Sequence, residues 1–226
     1  MEHRPEKRTT PSAYLRMQGC MLSTMMPPGA LLGLETVAAC MKDEVLRPFL
    51  GHALLHEIMP CMGLSKQAVE ALAMQICREL ETPSIEQPLV SLAANGVRTW
   101  GDQVLPLLTA YQEREDAIPP CLCLGLAALI MLFAGARQGP DGAFSSAQGE
   151  KGFPLTEDED ILRAFSRLSC DMPPETLAYA VLSDRAIWER DLREIPGLEE
   201  KLAGQLRDLQ LIGLRAALES ASRPED

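Results

Sequence analysis

Apolar residues recur three and four positions apart along almost the whole chain, and alternating β-branched runs are nearly absent, a pattern that predicts helices throughout. Val45, Leu46, Phe49, Leu50, Ala53, Leu54 and Ile58 form one stripe that ends at Pro60, and Val69, Leu72, Ile76 and Leu80 form another that ends before Pro83. Leu89 to Tyr111 reads as one or two helices with a break near Gly101. Pro119 opens a central apolar helix, because proline is tolerated where the amide would be unpaired anyway. A loop rich in glycine and serine should join Gly135 to Pro154. Thr156-Glu-Asp-Glu159 then has the form of a capping box, with threonine capping free amides and glutamate reaching back. A further helix should follow Pro173-Pro174, and a last one should run from about Leu198 to Leu218 with Leu202, Leu206, Leu209 and Ile212 on one face. The expected fold class is all-α, one multi-helix domain over residues 13–220, with residues 1–12 and 221–226 disordered.

Composition narrows the partners. The chain has 226 residues, 46% of them apolar, and a net charge of −11, which argues against nucleic acid because phosphate binders need a basic face. The basic cluster His3, Arg4, Lys7 and Arg8 sits at the expected disordered end. Seven cysteines, at 20, 40, 61, 77, 121, 123 and 170, are scattered through apolar stretches as reduced thiols are, so a cytoplasmic setting is expected. Cys121-Leu-Cys123 has the wrong spacing for a redox pair and does not complete a zinc site. Gln18 and Pro27-Pro28 interrupt the apolar stretch Met17 to Leu34, so no export signal is expected there. The uncharged run Ile118 to Ala136 is shortened by Pro119 and Pro120, and reads as a buried helix and not a membrane span.

Four ordered segments carry a family resemblance. They are Gly33-Leu34-Glu35-Thr36-Val37, then Glu57-Ile58-Met59-Pro60, then Leu105-Pro106-Leu107-Leu108 with Tyr111 and the Leu124 to Gly135 stretch, and finally Asp184 to Leu198 with Trp188, Asp191-Leu192 and Ile195-Pro196-Gly197-Leu198. Together they resemble the carboxy-terminal helical domain of the mannitol dehydrogenase family, closest to its tagaturonate reductase (altronate oxidoreductase) branch. That resemblance implies a multi-helix domain like the carboxy-terminal domain of 6-phosphogluconate dehydrogenase and mannitol dehydrogenase. It also implies the substrate-domain portion of an NAD-dependent uronate or polyol oxidoreductase, whose Rossmann domain has no counterpart in these residues. NAD would then come only with a separate Rossmann-domain partner.

The family's catalytic pattern, Lys-x-x-x-x-Asn-x-x-His, lies just ahead of the Gly-Leu-x-Thr-Val segment. The corresponding stretch here, Tyr14 to Thr24, contains neither lysine nor histidine; Gln18 or Gly19 falls near the asparagine and Leu22 near the histidine. No catalytic, cofactor or metal residues are therefore assigned, and the chain is expected to be inactive alone. Asn95 matches a family asparagine and Arg98 could pair with a uronate carboxylate, so these two are the substrate-binding candidates. The alternative is a non-catalytic descendant that binds a protein or a sugar acid. A domain of this kind alone should expose an apolar patch, which predicts self-association or a Rossmann-domain partner.

Other polar groups have plainer readings. His52 and His56 share a helix face with Cys61 a turn beyond, but no third ligand follows from spacing, and a surface pair explains them. Met17, Met21, Met25 and Met26 suit core packing or an open binding face equally. The glycines of Gly135 to Gly142 lack the spacing and the preceding strand of a dinucleotide fingerprint.

Overall fold

A computed structural model describes residues 11–148 and 152–223; what was expected of residues 1–10 and 224–226 lies outside them. The chain opens with α1 (Pro11–Leu31), which passes through Pro27 and Pro28 without ending. Proline removes two helical amides there, and burial of Met17, Met21, Met25 and Met26, all at most 2% exposed, holds the segment helical nonetheless. The methionine stripe is therefore core. Gly33, at φ 74°, turns the chain into α2 (Val37–Cys40), capped by Thr36, and α3 (Leu46–His52) follows.

The stripe that begins at Val45 is not one uniform helix. α3 widens into a π-helical stretch (Ala53–Ile58) and closes with a 3-10 turn (Met59–Cys61) at Pro60. α4 (Lys66–Glu81) matches its predicted stripe, with Val69, Leu72, Ile76 and Leu80 buried. The Leu89 to Tyr111 stretch forms three helices, α5 (Leu89–Leu92), α6 (Gly96–Gln103) and α7 (Leu105–Glu115), so it breaks twice, between Leu92 and Gly96 and at Val104 ahead of Pro106, and not at Gly101. The central helix is α8 (Pro120–Phe133), with Pro119 as its cap and a nearly fully buried surface. Among the described residues no helix is long and apolar enough to cross a membrane.

The segment expected as a loop holds a three-stranded antiparallel sheet, β1 (Arg137–Gln138), β2 (Phe144–Ser145) and β3 (Pro154–Leu155). Strands of two residues are too short to leave any alternation in the sequence. The rest is α9 (Glu159–Ser166), α10 (Pro174–Ser183), α11 (Arg185–Trp188), a 3-10 turn at Leu192–Glu194, α12 (Leu198–Leu211) and α13 (Gly213–Ala221). The last predicted helix is thus two. Gly213, at φ 78°, breaks it in a conformation that costs glycine little, and Ile212 is half-exposed instead of joining Leu202, Leu206 and Leu209 in the core. α8 packs against α1, α12 and α13, and α10 covers α12, so one core runs through the described helices. Within the described residues, helices begin at Pro11 and end at Ala221.

Candidate functional site

Helix periodicity divides α1 between the core and an outer face. Met17, Cys20, Met21 and Thr24 are buried, whereas Tyr14, Leu15, Arg16, Gln18, Gly19 and Leu22 keep some exposure. Positions 14, 19 and 22 have the Lys, Asn, His spacing of the family pattern, and here they offer a phenol, no side chain and an apolar side chain. Tyr14 Oη donates to the Glu79 carboxylate on α4, and Gln18 Nε2 donates to Tyr14 Oη at 3.0 Å. The bond to Glu79, with burial adding to it, pushes the Tyr14 hydroxyl up to about 12, so it is no base near neutral pH. At Gly19 a β-carbon would lie 2.5 Å from Gln103 Oε1; the missing side chain leaves room for the Gln103 amide against α1.

Asn95 and Arg98 stand at the start of α6, both exposed. Asn95 has φ 56°, in the left-handed region that asparagine tolerates, and its amide donates to Thr156 O at 2.8 Å. The expected capping box does not form. α9 begins at Glu159 after Asp158, with no side-chain cap. Glu157 instead reaches 60 residues back along the chain, where its fully buried carboxylate accepts Val97 N–H at 2.8 Å and Arg98 N–H at 3.3 Å, capping α6. The Arg98 guanidinium is held by Asp158, with Glu189 at 3.5 Å and Glu157 at 4.0 Å. A small depression of about 380 Å³ lies beside it, lined also by Arg163, Arg167 and Asp184. A ligand carboxylate at Arg98 would compete with Asp158 for the same donors.

A larger cleft lies elsewhere. About 990 Å³ in volume, it opens between the π-helical stretch and α12 and is lined by His52, His56, Glu57, Tyr111, Lys201 and Gln205, among others. Glu57 shares the inward register of the Val45 stripe and is 1% exposed. Its Oε1 accepts Cys121 N–H at 2.7 Å and its Oε2 accepts Leu122 N–H at 2.8 Å, so it caps the N-terminus of α8. Burial pushes the Glu57 carboxyl up, with the two amides opposing. His52 and His56 are ring neighbours at 4.4 Å, and burial followed by repulsion from His56 lowers the His52 pKa. The partners that tertiary structure supplies to His52 are Glu57 and Cys121, while Cys61 stays outside that group. Sequence spacing had no means of joining them, since 64 residues separate Glu57 from Cys121.

The glycine-rich loop does not fit a dinucleotide. Gly139 and Gly142 form the tight turn between the antiparallel strands β1 and β2, with Gly139 N–H donating to Ala143 O at 2.8 Å, where a pyrophosphate cradle needs a strand, a loop and a helix N-terminus.

The model of the mannitol dehydrogenase C-terminal domain matches residues 14–210. The altronate oxidoreductase of Pectobacterium atrosepticum is 31% identical over 202 residues, covering 87% of this chain and 40% of that protein. The altronate oxidoreductase of Klebsiella pneumoniae is also 31% identical over 202 residues. The chain therefore spans about 40% of the length of the curated relatives it matches. In fold it is similar to Pseudomonas fluorescens mannitol 2-dehydrogenase, solved as a ternary complex with NAD and D-mannitol, at a TM-score of 0.72 and 13% identity over 94% of this chain and 41% of the other. A substrate-free D-sorbitol dehydrogenase gives 0.65 and 15% over 91% of this chain and 40% of the other.

Proposed function

Since this chain belongs to the mannitol dehydrogenase C-terminal domain family, we propose that it is the substrate-domain portion of a uronate or polyol oxidoreductase that does not turn substrate over by itself. One observation carries the second half of this reading: at the spacing of the family's catalytic set α1 bears Tyr14, Gly19 and Leu22. Removing one general base or one oxyanion donor costs about a hundredfold or more in rate, so the loss of all three leaves no measurable chemistry. Hydride transfer would additionally require a Rossmann domain to bring NAD.

Altronate oxidoreductases among the relatives favour a hexuronate or hexonate over a simple polyol as the ligand class. Asn95 and Arg98 are its proposed contacts, with the ligand carboxylate displacing Asp158 from Arg98. Since Arg98 already stands among three acids, such binding is weak and falls with salt. A cytoplasmic setting accords with the scattered free thiols. The second reading, a non-catalytic module that binds a protein or a sugar acid, draws on the same three positions.

Thermal unfolding of the purified chain with hexuronates, hexonates and polyols, each with and without NADH and with NADH oxidation followed alongside, separates a sugar-acid-binding domain from a module that binds protein alone. A ligand at a hundred times its dissociation constant stabilises the folded state by about 2.7 kcal/mol, enough to read as a clear shift. The expected result is a shift with a sugar acid and no NADH oxidation. Turnover by the chain alone would overturn the inactive assignment. No shift with any of them would leave the protein-binding module as the surviving reading.

A further inference from the structure

His52 ends α3, Glu57 lies in the π-helical stretch that follows it, and Cys121 stands in the first turn of α8; one ligand atom from each lies within 4.8 Å of the other two. We infer that these three side chains form a zinc(II) site, walled on the inside by Glu57 and Cys121 and open to the large cleft on the side of His52.

The donor set points to that ion. Imidazole nitrogen, thiolate sulfur and carboxylate oxygen together suit borderline-soft Zn²⁺, whereas magnesium and calcium take oxygen alone. Two of the donors are buried, Glu57 at 1% and Cys121 at 0% exposure, and His52 borders the cleft, which supplies an entry path. Each Glu57 oxygen accepts one amide hydrogen from α8, which fixes the carboxylate and leaves a lone pair on each oxygen for the metal. A π-helical stretch is a rare departure from α-geometry that recurs at functional sites, and here it carries Glu57. The fourth position faces the cleft, where the His56 ring is centred 4.4 Å from that of His52.

Zinc ligands lie ~2.0–2.3 Å from the ion, and of the three donors His52 is the one on the open side. Binding forms one Zn–S bond and breaks the Cys121 S–H bond, with the proton released to solvent. The ion would join α3 to the N-terminus of α8, and nothing in the uronate reading depends on it.

Full-length chain stripped of metal by dialysis against chelator, then titrated with zinc chloride against a chromogenic chelator and separately with cobalt chloride, tests the site. One equivalent of zinc should bind, and cobalt should produce a near-ultraviolet thiolate charge-transfer band. Cys121→Ser should remove that band, and both it and His52→Ala should weaken zinc by about 100-fold or more. Cys123→Ser, a buried thiol outside the group, should change neither. Absence of the thiolate band in the wild-type protein overturns the site whether or not the variants fold. Zinc binding that survives Cys121→Ser but is lost with His56→Ala also overturns it, because a histidine pair on one helix face then accounts for the metal.

Discussion

Replacing Glu157 with alanine sets the tertiary cap of α6 against the local capping box that Thr156-Glu-Asp-Glu159 suggests. The Glu157 carboxylate is fully buried and accepts the Val97 amide at 2.8 Å and the Arg98 amide at 3.3 Å. Its loss leaves the buried Val97 amide unpaired, at about 1–3 kcal/mol. Removing an anion from the positive end of α6 adds about 0.3–1 kcal/mol, and the longer Arg98 contact adds less than the first. The total is about 2–4 kcal/mol, which with a urea dependence of about 2–3 kcal/mol per molar lowers the unfolding midpoint by about 1 M. Glu159→Ala is the control. Glu159 makes only an exposed ion pair with Arg163 at 2.5 Å, so its replacement should cost about 0.3–0.5 kcal/mol. Urea unfolding followed by far-ultraviolet circular dichroism at neutral pH measures both. If Glu159→Ala costs as much as Glu157→Ala, or more, the local box is real and the long-range cap is not.

Asp43 should govern part of the acid sensitivity. Burial pushes its carboxyl up, but the Leu46 and Val45 amides and Arg215 outweigh that and hold it below the ordinary aspartate value of 3.8. A depressed carboxyl contributes stability that is complete above pH 3.8 and disappears as pH falls through its lower folded value, so the urea-midpoint gap between wild type and Asp43→Asn should close in acid. A gap that stays constant into strong acid refutes this. Two glycines should respond to alanine with opposite signs in the same unfolding assay. At Gly29 the new β-carbon would lie 2.6 Å from Cys40 Sγ and 2.9 Å from Leu89 Cδ1, and overpacking of about 1–3 kcal/mol should exceed the helix-propensity gain of about 1 kcal/mol. At Gly204, in α12, nothing lies within 4 Å, so alanine should stabilise by about 0.4–1 kcal/mol; equal signs at the two sites would show the packing is wrong. Thiol labelling of the native protein, mapped by mass spectrometry, should reach only the half-buried Cys61, Cys77 and Cys170. Burial excludes reagent from the other four and pushes Cys40 and Cys123 up to about 12; early labelling of either would contradict the core described here.

The amino-acid sequence by itself determined the helical class, because a 3.6-residue repeat in apolar positions survives any later arrangement, and α4 lies where its stripe and its proline end place it. It also determined that neither lysine nor histidine stands between Thr9 and Met41, since that depends only on residue types. What it left open were the places where a local rule competes with a distant partner. Glu157 looked like part of its own helix start and caps another, because an unpaired amide is satisfied by whichever carboxylate the fold brings near. The Leu198 stripe ran on past Gly213, since one glycine in a helical pattern does not declare that it will take a left-handed turn. The candidate site divides in the same way. The eroded α1 positions could be read from residue types and spacing, whereas the competition of three acids for Arg98 and the meeting of His52, Glu57 and Cys121 could not. Periodicity reports which face of an element is buried, and only the packing of elements against one another decides which side chains meet across the core.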